Sequence, residues 1–307
     1  MKSPGWVEVR VLVPEGWHEL VGEALCCEES TSICLGSPSL ASTPPPSGYD
    51  YVRTFIGEAD DSPALRRRME QRLAGLAVAT GAAELEDLVP SFQLLPAEDY
   101  ANSWRKVAKP IRVGRLCVLP PDWPGDVGSL RPDDVRLTLE PGGAFGTGRH
   151  ATTRGCLREI SRRTRPGARV LDAGSGSGIL AVAAALLGAR SCLGFDTDRH
   201  ALPYALELAR VNGVTAECEF RLGDFSVLTD ADAGFDGCVA NLYADLLWAH
   251  AAELAARLLP GGWFCFSGCL VTKQAATLEA IAAAGLAVES VLVRGRWATF
   301  AGSRPAR

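Results

Sequence analysis

The sequence predicts an α/β protein: a mostly parallel sheet covered by helices on both faces, preceded by a small α+β domain. Three observations predict it. From Arg169 onward, apolar runs of strand length alternate with runs of helical spacing, as in chains of strand–helix–strand crossovers. Residues 1–90 carry a separate, shorter set of elements. The length of 307 residues is about two typical domains, each long enough to bury a core.

Composition narrows the class. With 47% hydrophobic and 22% charged residues the chain is ordinary globular material, neither disordered nor collagen-like. No apolar run reaches the ~18 residues of a membrane-spanning helix. The opening Met1 to Trp6 lacks the basic and apolar regions of a signal peptide. A cytoplasmic protein without membrane contact is expected.

In chain order, Trp6 to Val13 alternates as a strand and Trp17 to Cys27 has helical spacing. The Ser/Pro-rich stretch 37–48, with Pro44 to Pro46, reads as a loop. Tyr51 to Ile56 reads as a strand. Ser62 as cap and Pro63 in the first turn open an Arg-rich helix reaching about Ala79. Residues 1–95 are therefore expected to be a small two-layer α+β domain. Residues 96–118 are read as a connector, helical from Glu98 to Val107, and 119–307 as the larger domain. There, strands are expected at 170–171, 191–195, 217–222, 235–240, 263–267, 287–293 and 297–302. Helices are expected at 179–187, 201–212, 245–258 and 271–284. Only Arg294-Gly-Arg296 joins the last two strands, too short for a parallel crossover, so they should form an antiparallel hairpin.

The ten cysteines are scattered, form no C-x-x-C pair and lack the close thiolate or imidazole pairs of a zinc site, so buried free thiols are expected and no metal. The net charge of −5 hides an asymmetry. Residues 1–100 carry seven Lys/Arg against sixteen Asp/Glu, which argues against a nucleic-acid reader there and suits a basic protein partner. Residues 101–168 carry thirteen basic and six acidic side chains, either an RNA contact or a solvated hinge surface.

The most informative segment is Val170-Leu-Asp172-Ala-Gly174-Ser-Gly176-Ser-Gly178-Ile-Leu180. Its glycines let the backbone turn sharply at a strand's carboxyl end and approach a ligand closely. Asp196, at the end of the next strand, is placed to accept hydrogen bonds from both hydroxyls of a ribose. A dinucleotide turn would present a helix amino terminus to a pyrophosphate, whereas Asp172 before this turn is hostile to a diphosphate and suits the ammonium of a methionine moiety. A nucleoside-containing cofactor of that kind is expected. The turn, the acidic residue and the hairpin resemble the class I S-adenosylmethionine-dependent methyltransferases, whose Rossmann-like sheet has seven strands, the last antiparallel.

Two more segments sharpen the resemblance. Phe145-Gly-Thr147-Gly-Arg-His150-Ala-Thr152-Thr153 is similar to the F-G-T-G-x-H-x-T-T signature of the ribosomal protein L11 methyltransferases, the PrmA family. Val239-Ala-Asn241-Leu-Tyr243, Leu259 to Trp263 and Phe266 to Gly268 extend the similarity, which spans about residue 98 to the end. The resemblance implies methyl transfer from S-adenosylmethionine to amines of ribosomal protein L11. It puts Thr153, Gly174, Asp196 and Asn241 at the cofactor; Asp172 and Gly176 lie in the same turn, and Asp224 reads either as a contact to the adenine amino group or as part of a surface turn. Asn241 is also a candidate to position the amine, and His150 a candidate base or a hydrogen-bonding strut. Arg149, Ala151, Ser175 and Leu242-Tyr243 depart from the family pattern without replacing these groups. Residues 1–90 resemble its substrate-recognition domain only faintly, best over Tyr49 to Leu76. The alternatives are a same-fold methyltransferase of another protein or of RNA, and a non-catalytic cofactor-binding factor of the ribosome.

Overall fold

The structure, a computed structural model, describes residues 5–25, 30–35, 45–95, 110–121, 123, 131, 133–139, 148, 150–199 and 201–306. Among these, 5–95 form one compact unit and 110–306 another.

In the first unit, β1 (Trp6–Pro14), α1 (His18–Leu25), β2 (Ser30–Leu35), β3 (Tyr49–Gly57), α2 (Pro63–Thr80) and β4 (Ser91–Leu95) build an antiparallel sheet in the order β2-β3-β1-β4. Strict alternation in β1 sends Val7, Val9, Val11 and Val13 to one face, where Val21 and Leu25 of α1 and Leu65, Met69 and Leu73 of α2 cover them. Burying each such side chain stabilises the fold by roughly 1.5–3 kcal/mol. Ser62 caps α2 by accepting the Leu65 N–H at 3.2 Å, with Pro63 in the first turn as expected, and left-handed Gly81 ends it. The two expected strands are joined by two more. Polar Ser30-Thr-Ser precedes the short apolar end of β2, and β4 is an edge strand with Leu94 57% exposed, so neither shows the apolar periodicity of a core strand. Of the expected Ser/Pro loop, residues 37–44 lie outside the described residues.

The larger unit begins with β5 (Ile111–Val113), β6 (Leu116–Leu119) and β7 (Val135–Thr138), a three-stranded sheet. Its residues Ile111, Val113, Leu116, Val118 and Leu137 join the core of this unit. The second half of the stretch read as a connector is therefore a packed hairpin, held by long-range burial rather than by local pattern. The expected helix at 98–107 lies outside the described residues. Next comes α3 (Ala151–Arg163), not expected because its Arg-rich run hides a buried stripe of Cys156, Leu157 and Ile160.

Thereafter the expected alternation appears: β8 (Arg169–Ala173), α4 (Ile179–Leu186), β9 (Ser191–Asp196), α5 (Ala201–Val211), β10 (Cys218–Leu222), β11 (Phe235–Asn241), α6 (Ala244–Arg257), β12 (Leu258–Leu270), α7 (Gln274–Ala283), β13 (Ala287–Arg294) and β14 (Trp297–Ser303). The seven strands order as β10-β9-β8-β11-β12-β14-β13. Strand β14 runs antiparallel to both β12 and β13, and only Gly295-Arg296 joins it to β13, making that pair the expected hairpin. Apolar layers fill both faces, one lined by α3 and α4 and the other by α6 and α7. Seven described cysteines, 117, 156, 192, 218, 238, 265 and 269, are buried free thiols. The chain order reverses between β8 and β11, so their carboxyl ends open the crevice in which α/β sheets of this kind bind ligands.

Candidate cofactor and active site

The crevice is built by the turns at the carboxyl ends of the strands. After β8 the chain passes through Gly174 and Gly178, both left-handed at φ 72° and 76°. A Cβ on Gly174 would collide with the Leu242 side chain, and one on Gly178 would lie 2.8 Å from Phe220 Cζ and 2.9 Å from Ala205 Cβ. Only glycine satisfies both the dihedral and the space. The Phe195 carbonyl accepts the Gly174 and Ser175 N–H groups at 2.9 Å, tying the turn to β9. Asp196 tightens it further: Oδ2 accepts the Gly176 N–H at 2.7 Å and Oδ1 the Asp198 N–H at 2.9 Å. Two acceptor sites per oxygen leave this half-buried carboxylate lone pairs for hydroxyl donors.

Asp172 is fully buried beneath the turn. Its Oδ2 accepts the Ala181 N–H at 3.1 Å, capping a helix whose own cap residue, Gly178, has no side chain to do so. Its Oδ1 is buried with no protein partner. Burial first, then the nearby Asp196 charge, pushes its pKa up to about 7, although the Ala181 hydrogen bond pulls the other way.

Thr153 lies in the first turn of α3, 1% exposed, with Oγ1 buried and unpartnered by protein. The start of α3 is bracketed on both sides. Gly148 sits beside Ile179 of the glycine turn, and His150 packs its ring edge-on against Trp297 at the start of β14, centroids 5.2 Å apart. His150 is the cap of α3, its Nδ1 accepting the Thr152 N–H, and burial pushes its pKa down to about 4.

Asn241 ends β11 opposite Ser267 of β12, and its Oδ1 is also buried without a protein partner. Behind it Ser267 Oγ and Thr299 Oγ1 pair at 2.7 Å. Asp224, just beyond β10, is exposed; its Oδ1 accepts the Ser226 N–H at 2.9 Å, which starts a single 3₁₀ turn. The Ser226 hydroxyl first, then that backbone bond, holds its carboxyl below the usual range. Asp224 is thus engaged by its own turn.

Every expected site residue is therefore at the carboxyl edge of the sheet or at the start of α3. Sequence reasoning missed the supports: Leu242 against Gly174, Trp297 against His150, and Phe225, which stacks on His250 at 3.6 Å and meets Phe195 edge-on. No local pattern announces them, because each pair joins residues far apart in the chain.

A buried hydroxyl, amide oxygen and carboxylate oxygen left unpartnered around a glycine turn are costly unless a ligand or water meets them. A ligand with an ammonium, hydroxyls and a purine fits that donor demand. The strand order with its reversed β14, the turn at the switch point and the acidic end of β9 define a methyltransferase of the Rossmann-like class. The family model described as "Ribosomal protein L11 methyltransferase (PrmA)" matches residues 5–305. The ribosomal protein L11 methyltransferase of Syntrophotalea carbinolica is 37% identical over 301 residues, 95% of this chain and 96% of its own. That of Geobacter sulfurreducens is 35% identical over 297 residues, again covering 95% and 96%. A crystal structure of ribosomal protein L11 methylase from Lactobacillus delbrueckii subsp. bulgaricus superposes with a TM-score of 0.56 at 32% identity, covering 64% of this chain and 98% of that one. The chain belongs to the ribosomal protein L11 methyltransferase family.

Proposed function

We propose that this chain is an S-adenosylmethionine-dependent methyltransferase acting on amines of ribosomal protein L11, on lysine side chains, the N-terminal α-amine or both. The observation that carries the reading is the set of buried, unpartnered oxygens on Thr153, Asn241 and Asp172 around the Gly174 turn, in a chain of this family.

Thr153 and Asp172 would hold the amino-acid end of the cofactor, Gly174 and Gly176 its body, and Asp196 the ribose hydroxyls. Asp224, whose Oδ1 holds the Ser226 N–H, would have its other oxygen for an adenine amino group. Bound there, S-adenosylmethionine supplies an electrophilic methyl on a sulfonium. The Asn241 Oδ1, buried without a protein partner, would accept an N–H from the incoming amine and so aim its lone pair. Transfer needs that amine neutral. An α-amine near pKa ~8 is substantially neutral at cellular pH, whereas a lysine near ~10.4 is about 0.1% neutral and must be desolvated. Asp172 holds the Ala181 N–H and Asp196 two backbone N–H groups, and their remaining lone pairs are assigned to the cofactor, so neither is read as a dedicated base. Alignment and water exclusion are left to the protein, with solvent taking the proton.

The acidic unit 1–95 is the docking domain for a basic protein. The described part of the basic 101–168 stretch favours a structural surface over an RNA face: Arg112 pairs with Asp134 at 2.5 Å, and Arg162 and Arg163 pair with Glu159 at 2.9 Å. A ribosomal protein as substrate makes the cytoplasm the place of this reaction. None of the described helices is long and apolar enough to cross a membrane.

Mass spectrometry of purified ribosomal protein L11 after incubation with this enzyme and S-adenosylmethionine tests the reading. Mass gains in single-methyl steps, lost with Asp196→Ala, are expected. No gain, with calorimetry still showing cofactor binding, would move the substrate to another protein or to RNA.

A further inference from the structure

Helix α3 is closed at its first turn by a histidine. His150 is its cap residue at φ −60°, ψ 144°. Its Nδ1 receives the Thr152 backbone N–H at 3.4 Å and lies 2.7 Å from Thr152 Oγ1. A backbone N–H can only donate, so Nδ1 presents its lone pair, and the hydroxyl that shares this nitrogen donates as well. A neutral imidazole whose Nδ1 accepts carries its proton on Nε2. The one lone pair of the neutral ring is then spent inside the helix. Desolvation, which pushes the pKa down to about 4, keeps the ring neutral at physiological pH.

This geometry constrains the site in two ways. To receive a proton at Nδ1 the ring must break its own cap, leaving Thr152 N–H unmet, and at Nε2 it already holds one. The same cap fixes the residue next to Thr152. The Arg154 N–H donates to the His150 carbonyl at 3.0 Å, so the first helical bond spans Thr153, whose buried Oγ1 has no protein partner. Trp297, 5% exposed, backs the His150 ring edge-on and limits its rotation.

We infer that His150 is a positioning residue: as the Nε2–H tautomer it closes the first turn of α3, holds the Thr153 hydroxyl for the cofactor, and takes no proton from the amine. Because this rests on Thr153 serving the cofactor, the test needs a readout that does not depend on turnover.

Imidazole nitrogen NMR of the cofactor-free protein at neutral pH, with His150→Asn to assign the signal, should show the Nε2–H pattern. An Nδ1–H pattern would overturn the assignment. In calorimetry, His150→Ala should raise the dissociation constant for S-adenosylmethionine by roughly 2- to 30-fold, the range expected for a lost helix cap. His150→Asn, itself a good cap, should recover most of that loss and keep the shape of the kcat–pH profile. If His150→Asn instead binds cofactor normally but loses turnover together with a titration from that profile, His150 is a base and the inference fails. If the wild-type protein binds no S-adenosylmethionine, both the cofactor reading and the positioning role fall, while the tautomer signal still stands.

Discussion

Asp172 and His150 pull the pH dependence of stability in opposite directions. The Asp172 carboxyl, pushed up to about 7 against an ordinary value near ~3.9, keeps in the folded protein a proton that the unfolded chain releases. That contribution is fully present below about pH 4 and is lost as pH rises through 7. The His150 ring, pushed down to about 4, stays neutral in the fold while the unfolded chain takes a proton, so its contribution is present above about pH 6.5 and lost as pH falls toward 4. Between pH 6.5 and 8 the Asp172 effect is the larger, about 1 kcal/mol, and the remaining neutralisation of the unfolded His150 offsets about half of it. In the cofactor-free protein the two leave a net loss of about half a kcal/mol, a fall in Tm of about one degree on going to pH 8. Asp172→Asn keeps an oxygen for the Ala181 N–H and has no charge to gain, so thermal melts of this variant should lack the fall. An unchanged pH difference would mean that Asp172 is already ionised at pH 6.5. The sequence placed an acid before the turn, but its capping role was invisible there, because it depends on α4 folding back over β8.

At the scale of elements, the glycine turn joins strand β8 to helix α4. Gly178 needs a left-handed dihedral, and its missing Cβ makes room for Phe220 and Ala205. Gly178→Ala should destabilise the larger unit by roughly 2–4 kcal/mol, summing the dihedral cost and the overlap. Denaturant unfolding checks it; a loss under 1 kcal/mol would mean that α5 and β10 shift freely. The elements of this unit were legible because buried parallel strands are nearly continuous apolar runs punctuated by glycine and by helices of clear period. Strand β4 and helix α3 were not. An exposed edge strand owes its pairing, and an arginine-rich helix its burial, to partners distant in sequence, β1 for the one and β12 and β14 for the other.

For the whole molecule, the two units have separate apolar cores, one around β1, α1 and α2 and the others on the two faces of the large sheet. The groups proposed to hold the cofactor all lie in the larger unit, and the acidic excess lies in residues 1–100. Removing residues 1–95 should therefore leave the affinity for S-adenosylmethionine within about threefold, while methylation of ribosomal protein L11 is abolished. Calorimetry and mass-spectrometric turnover on the same preparation read both. Full turnover by the truncated chain would end the docking role of the small unit.

By itself the sequence determined the α/β class, the reversed last strand and the place of the glycine turn. These rest on periodicity, loop length and glycine, which act over a few neighbouring residues. Only the tertiary structure decided that Asp172 caps a helix, that His150 closes one, that Asp224 serves its own turn, and that 111–119 is packed structure. Each of those roles is a hydrogen bond or buried contact whose geometry the folded chain sets, and whose energy exists only once water has been removed from around it.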